Sequence, residues 1–502
     1  MSDRGARHSE TPGATTAGAG SSPSAKSTEP VESAESVGSA ASAETRPRRR
    51  GRTIAIVAGA LVVAAAIVVT VVVVQPDDEP VGAPVAATLP VALTATDLPE
   101  GTTVGVIVTL GPGAEGADWN GAAQGALVAE RRLELGGADI ALATENDGGT
   151  EAGAAEAVTA LVDQGVAGIV IASSGPHIIG AVTAAADAGI PVVLPYAPVQ
   201  DGASGDVWST APDAAQTGAA LTEALGGATN TLLVDAGGGA PVGVEIGRTE
   251  TATSSAGDEA LAREVARLTG STPPATSTTA TGDDVSATAS QETEPVADPS
   301  DAVLVSGSAT RQAAVVARLQ AADLAVPVVL TPDATSPAFS AALKEDGASL
   351  SGSLVTVGAE SGDATALRGD GAGRSVSAFL GGVRVLAQDP DAVNLTGDQP
   401  FSVVAGAADA RSHDAVVALV RAVESAGSIE PGAVGDALGA LGLGAGDGMA
   451  GPAVDFSSAQ ALDADVAVLN SSSQDLGLRP AVDDGSTGLI WFAGPVTAPA
   501  AG

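Results

Sequence analysis

Between residues 102 and 200, short apolar runs alternate with stretches whose small apolar side chains recur every three or four positions. Val104–Leu110 (VGVIVTL) is an apolar run closed by Gly111-Pro112-Gly113. Residues 117–135 follow with Ala122, Ala126, Ala129 and Leu133 at helical spacing. A strand at 140–144, a helix at 150–164, a strand at 168–172, a helix at 177–188 and a strand at 191–194 continue the alternation. Near-continuous apolar strands separated by helices predict a parallel sheet covered on both faces.

The unit recurs. Residues 168–198 (GIVIASSGPHIIGAVTAAADAGIPVVLPYAP) are echoed by 302–335 (AVLVSGSATRQAAVVARLQAADLAVPVVLTPDAT). Each is a strand, a Ser-rich turn, an Ala-rich helix, an Ala-Asp step and a (Ile/Val)-Pro-Val-Val-Leu strand. The echo predicts two similar α/β lobes. Joined by crossing strands, they turn their C-terminal strand ends toward a shared cleft, where such sheets bind ligands.

A different pattern precedes them. Residues 53–74 are 22 positions without a charge. As a helix the run covers ~33 Å, enough for a ~30 Å hydrocarbon core. Arg46, Arg48, Arg49, Arg50 and Arg52 stand directly before it. They predict a retained single-pass anchor over 53–75, with the N-terminus cytoplasmic and the C-terminal part extracellular. A cleaved signal peptide is the rival, with APVAA at 83–87 as a processing site, although its apolar region is usually only ~7–15 residues. Residues 1–45 have almost no large apolar side chains, so 1–52 reads as a disordered tail. Residues 76–100 read as a linker. The polar, low-complexity stretch 271–300 reads as a disordered insertion.

Charge narrows the partners. Lys and Arg number 22 against 60 Asp and Glu, a net charge of −38. The acidity lies beyond the basic tail and disfavours nucleic acid as a partner. The absence of cysteine excludes disulfides, thiolate metal sites and a lipid-bearing N-terminal Cys. The three histidines are too scattered for a local zinc motif, so neither metal nor cofactor is expected. Gly111–Gly116 spells G-x-G-x-x-G after a strand. Pro112 removes an amide there and Glu115 repels phosphate, so turn glycines explain it better than a dinucleotide. No nucleophile elbow, H-E-x-x-H or Walker A lysine is present, so no catalytic residue is assigned.

From about 102 to 470 the chain resembles the type I periplasmic binding proteins, specifically the branched-chain amino-acid class of ABC-transporter substrate-binding proteins. The matching stretches are 104–130, 145–174, 188–198, 208–221 and 412–431. The resemblance implies two hinged lobes: 101–210 with 352–450, and 211–351 with 451–492, ending in a tail at 493–502. It implies a small polar, amino-acid-like ligand between the lobes and an ABC permease as partner. A ligand-sensing or scaffold ectodomain without transport is the alternative.

The resemblance also carries over residue roles. Ser173 and Ser174, at a strand end before a helix, hold a ligand carboxylate; an N-cap is the plainer role. In the next turn Tyr196, with Ala197, lines the cleft as an aromatic wall or packs at the hinge. Asp333 pairs with a ligand ammonium, or caps a helix. Ser308 and Val242 fall where the family has ligand-packing tyrosines, and Trp119, opening the first helix, replaces that lost surface or packs in the core. Pro198 removes a hydroxyl contact. These departures point to a ligand other than leucine, isoleucine or valine, or to weak binding of these. His413 falls at an aromatic position and packs.

Overall fold

The computed structural model describes residues 91–494 except 112, 201, 253, 255–257, 272–295, 351–352, 360–361 and 481–487. The predicted tail 1–52, the span 53–75, the linker up to residue 90 and the chain end from 495 therefore lie outside the described residues. Among the described residues no helix is long and apolar enough to cross a membrane.

The first sheet holds β1 (Thr102–Val108), β2 (Ile140–Asn146), β3 (Ile169–Ile171), β4 (Val192–Leu194) and β5 (Val207–Ser209). They run in the order β2-β1-β3-β4-β5, all parallel. Alternation along each strand serves two cores. Val104, Val106, Val108, Val170 and Val193 point to one face, with helices Gly125–Leu135 and Ala410–Ala426. Ile107, Ile169, Ile171, Val192 and Leu194 point to the other, with helices Glu151–Asp163 and Ile179–Ala188. Both faces are buried, which is why these strands read as unbroken apolar runs.

The second lobe contains β6 (Thr231–Ala236), β7 (Arg248–Thr251), β8 (Ala302–Gly307), β9 (Val328–Leu330) and β10 (Val355–Gly358). A small hairpin, β11 (Gly442–Leu443) and β12 (Val454–Asp455), sits apart. β13 (Ala467–Ser472) and β14 (Ile490–Ala493) complete the second sheet in the order β14-β13-β10-β9-β8-β6-β7. β6 to β10 pair in parallel; β13 and β14 are antiparallel additions. Leu232, Val234, Val303 and Val305 face helices Asp258–Leu268, Ala309–Ala321 and Pro337–Glu345, and Leu233, Leu304 and Val329 face helix Ala214–Ala224.

The sheets define the crossovers. β10 pairs with β9, so the chain leaves the second sheet after Gly358 rather than at 352. The following helix, Gly371–Ala387, lies on the first lobe, where Gly382 meets Val128 and Arg132 so closely that a Cβ has no room. The return falls after Ala461 rather than at 451, because Val454, Phe456 and Ala461 still belong to the first lobe's core.

Two expected loose segments are narrower than their composition suggests. Linker residues from 91 dock on the first lobe: Leu93 is buried, its amide donates to Arg132 O, and the Thr96 amide donates to Glu424 Oε1 at 2.7 Å. The insertion's edges also pack. Ser271 and Ser300 are buried, Ala325 N donates to Ser271 Oγ, and Arg248 donates to Asp298 O at 2.8 Å. Polar composition hid these contacts because backbone carbonyls and hydroxyls make them. Residues 272–295 lie outside the described residues.

Candidate functional site

Loops at the C-terminal ends of β1, β3 and β4 meet those after β8 and β9. Beyond β1 the chain turns through Gly116, whose φ of 87° and closeness to Ser173 Oγ and Ser174 O leave no space for a side chain. This turn delivers Trp119, buried at 3% exposure. Its ring stacks on Tyr196 at 4.5 Å between centroids and 12° between planes. The Trp119 indole N–H donates to Ser174 Oγ at 2.8 Å.

Onto this aromatic pair comes Arg411, whose Cζ is 4.8 Å from the Trp119 ring and 4.9 Å from the Tyr196 ring. Such cation–π contacts are worth ~2 kcal/mol when desolvated. Asp409, the N-cap of helix Ala410–Ala426, holds the guanidinium through Nε at 3.0 Å and Nη2 at 2.8 Å. The Tyr196 hydroxyl points to the same carboxylate at 3.5 Å. Burial, with Asp409 opposite, pushes the Tyr196 phenol well above its ordinary value.

The second lobe meets the first through Asp118. Its Oδ2 accepts from Thr310 N at 3.1 Å, at the start of helix Ala309–Ala321, and Ser336 Oγ donates to Asp118 O. An acidic group from one lobe thereby caps a helix N-terminus of the other. Ser308 is that helix's own N-cap. Asp333 lies in the one-turn segment Pro332–Thr335 after β9. Burial, reinforced by Asp118, raises its carboxyl to about 6, against the opposing pull of Arg411.

The folded state thus binds a proton at Asp333 more tightly than the unfolded chain does. The associated stabilisation is complete below pH 3.8 and is lost as pH rises through about 6. Asp333→Asn is expected to raise the melting temperature at pH 7.5 by about 2–5 °C and to leave it unchanged at pH 3.5. Thermal melts at both pH values check this; an equal gain at both would remove ionisation as the cause.

Ser173 faces inward. Its Oγ is 2.6 Å from Thr109 Oγ1 and 3.3 Å from His177 Nε2, and the same Nε2 is 3.0 Å from Asp147 Oδ2. Serine and aspartate share one ring nitrogen, whereas a nucleophile relay needs them on opposite nitrogens. The cluster is a buried brace. Burial disfavours the His177 cation, but Asp147 and then Glu115 outweigh it and raise the imidazole.

The structure therefore gathers Trp119, Ser174, Tyr196, Asp333 and Ser308 around one interlobe cleft. Ala197 follows Tyr196, and its carbonyl accepts from Ser209 Oγ at 2.8 Å. Ser173 lies behind the wall, and Val242 is exposed beside helix Ala214–Ala224. Sequence reasoning missed Arg411, Asp409 and Asp118. The available signal was an Asp-x-Arg step at a helix start, one step before SHDA. His413 packs as expected, edge-on to Phe379 at 5.3 Å.

Behind Arg411 lies a cavity of about 200 Å³ between the lobes and their crossovers. Thr210, Gly358 and Leu462 border it on the crossovers, Ser340 and Trp491 on the second lobe, and Arg411 on the first.

No family model matches the chain, and no curated protein matches it. Solved structures do. LivJ, a branched-chain amino acid transporter substrate-binding protein from Streptococcus pneumoniae in complex with isoleucine, matches at 16% identity and a TM-score of 0.50, over 79% of this chain and 100% of that one. The chain has the type I periplasmic-binding-protein fold. The leucine-binding protein LivK of Thermotoga maritima matches at 14% identity and a TM-score of 0.50, over 78% of this chain and 98% of that one. A solute-binding protein of an ABC transporter from R. palustris, in complex with 4-hydroxybenzoate, matches at 16% identity and a TM-score of 0.51, over 78% and 96%.

Proposed function

We propose that the chain is a solute-binding protein that captures a small molecule between its lobes and delivers it to an ABC permease. The observation that carries this reading is the convergence of strand ends from both sheets on one cleft, lined by Trp119, Tyr196, Arg411 and Asp333 and backed by a cavity. The arrangement holds and orients; it offers no nucleophile–base pair, so it suits binding rather than catalysis. Structures of the same fold are named as substrate-binding proteins of ABC transporters. The uncharged run 53–74 and its preceding arginines support a membrane tether, with residues beyond it outside the cell.

The test is a thermal-shift screen of the full-length protein in detergent against amino acids, carboxylic acids, amides and nucleosides, coupled to crosslinking in cells. A native-state ligand raises the melting temperature by mass action. One stabilising ligand class and a crosslinked permease are expected. A crosslinked kinase or regulator with no permease would replace transport by sensing.

A further inference from the structure

A zwitterion in this cleft needs a place for its ammonium. The place that chemistry offers is the face of the Trp119–Tyr196 stack beside Asp333, and the protein's own Arg411 guanidinium sits on that stack. Ser174, the expected carboxylate holder, already accepts from the Trp119 indole. The room lies on another side of Arg411, in the cavity of about 200 Å³. An apolar cavity of ~150 Å³ holds benzene, so this one admits a single ring or a branched chain of similar size. Leu462, Leu469, Leu489, Ile490 and Trp491 supply apolar surface.

Two arginines border this cavity. Arg479 uses Nε and Nη2 on Asp363, and Nη1 on the carbonyls of Ala405 and Ala408. Arg411 spends Nε and Nη2 on Asp409, while its Nη1 has no hydrogen-bond partner among the described residues. Three carboxylates line the cavity as well, and each is already taken: Asp363 by Arg479, Asp409 by Arg411, and Asp414 by His413 and two backbone amides. A ligand carboxylate therefore finds a charged donor at Arg411, whereas a ligand ammonium meets a guanidinium and no unpaired carboxylate.

Resting on the solute-binding reading above, we propose that the ligand chamber is this hinge-side cavity and that it takes a small apolar monocarboxylate lacking an amino group, its carboxylate set on Arg411. Arg411 acts as a built-in cation that excludes amino acids and selects their deaminated counterparts.

The experiment is calorimetry on the full-length protein in detergent with 4-methylpentanoate, benzoate, leucine and 4-methylpentanamide. Leucine differs from the first by its ammonium, and the amide by its missing charge. At least one of the two acids is expected to bind, with leucine and the amide at least ~10-fold weaker. Ser340→Leu, on a half-buried helix position facing the chamber, should abolish acid binding and so cost far more affinity than Ser174→Ala. The double variant Arg411→Met/Asp409→Asn avoids a lone buried charge and keeps a helix cap. It should weaken binding by roughly 10- to 150-fold, and it carries the test if Ser340→Leu fails to fold. Leucine binding as tightly as the acids, or affinity lost in Ser174→Ala but not in Ser340→Leu, overturns the chamber and leaves solute capture standing. Stabilisation by nothing in the wider screen overturns solute capture, and the chamber with it.

Discussion

Replacing Asp414 by alanine is expected to lower the melting temperature by roughly 5–10 °C, from a loss of about 3–5 kcal/mol. Asp414 is buried on helix Ala410–Ala426, and its carboxylate is fully committed. Oδ1 accepts from Ala450 N and from His413 Nδ1, both at 2.7 Å, and Oδ2 accepts from Gly451 N at 2.7 Å. His413 Nε2, in turn, accepts from Arg132 Nη1 at 2.8 Å, and Arg132 Nε donates to Val91 O at 2.9 Å. Burial keeps the imidazole neutral and pulls the guanidinium down to about 10. One carboxylate therefore balances one buried cation and orders segments near residues 91, 132, 413 and 450. Its removal leaves two backbone amides and the His413 Nδ1–H without their acceptor, and the Arg132 guanidinium without its counter-charge. Asp414→Asn, which keeps an acceptor, should lose less. Scanning calorimetry of both variants checks the order; an alanine variant melting within about 1 °C of the parent would show that water takes over these bonds.

The lobes were legible in the sequence because both faces of each sheet are covered. Val104, Val106 and Val108 serve one core and Ile107 the other, so no polar residue interrupts the run. The echo at 302–335 was legible for the same reason, with β8 and β9 matching β3 and β4 in order and spacing. The crossovers were not. Residues 352–358 and 451–461 carry no periodicity of their own, and only pairing to β9, or packing into the first core, decides their lobe.

The candidate site divides along a similar line. Trp119, Ser174, Tyr196, Ser308 and Asp333 stand at strand ends, where topology alone directs them to the cleft. Arg411 stands on a helix more than 200 positions away from Tyr196 in the chain, and local pattern gives no sign that it crosses to the aromatic pair. Ser308 is a helix N-cap, and the group that faces the two rings is a cation, which a search for aromatic replacements does not reveal.

Trp119→Ala tests how much the molecule depends on that stack. The indole is 3% exposed, stacks on Tyr196, carries Arg411 on its face and donates to Ser174. Truncating a buried tryptophan costs about 3–5 kcal/mol, and this one also removes a ring from beneath a buried guanidinium. A fall in melting temperature of about 5 °C or more is expected, with Trp119→Phe recovering over half of it. The loss should reach beyond stability. Asp118, the neighbouring residue, joins the lobes through Thr310 and Ser336, so a void at 119 loosens the segment that bridges them. Small-angle scattering should therefore show a larger radius of gyration for Trp119→Ala than for Trp119→Phe. If the alanine variant is destabilised with unchanged dimensions, the stack serves the first lobe's core alone and the interlobe contact stands without it.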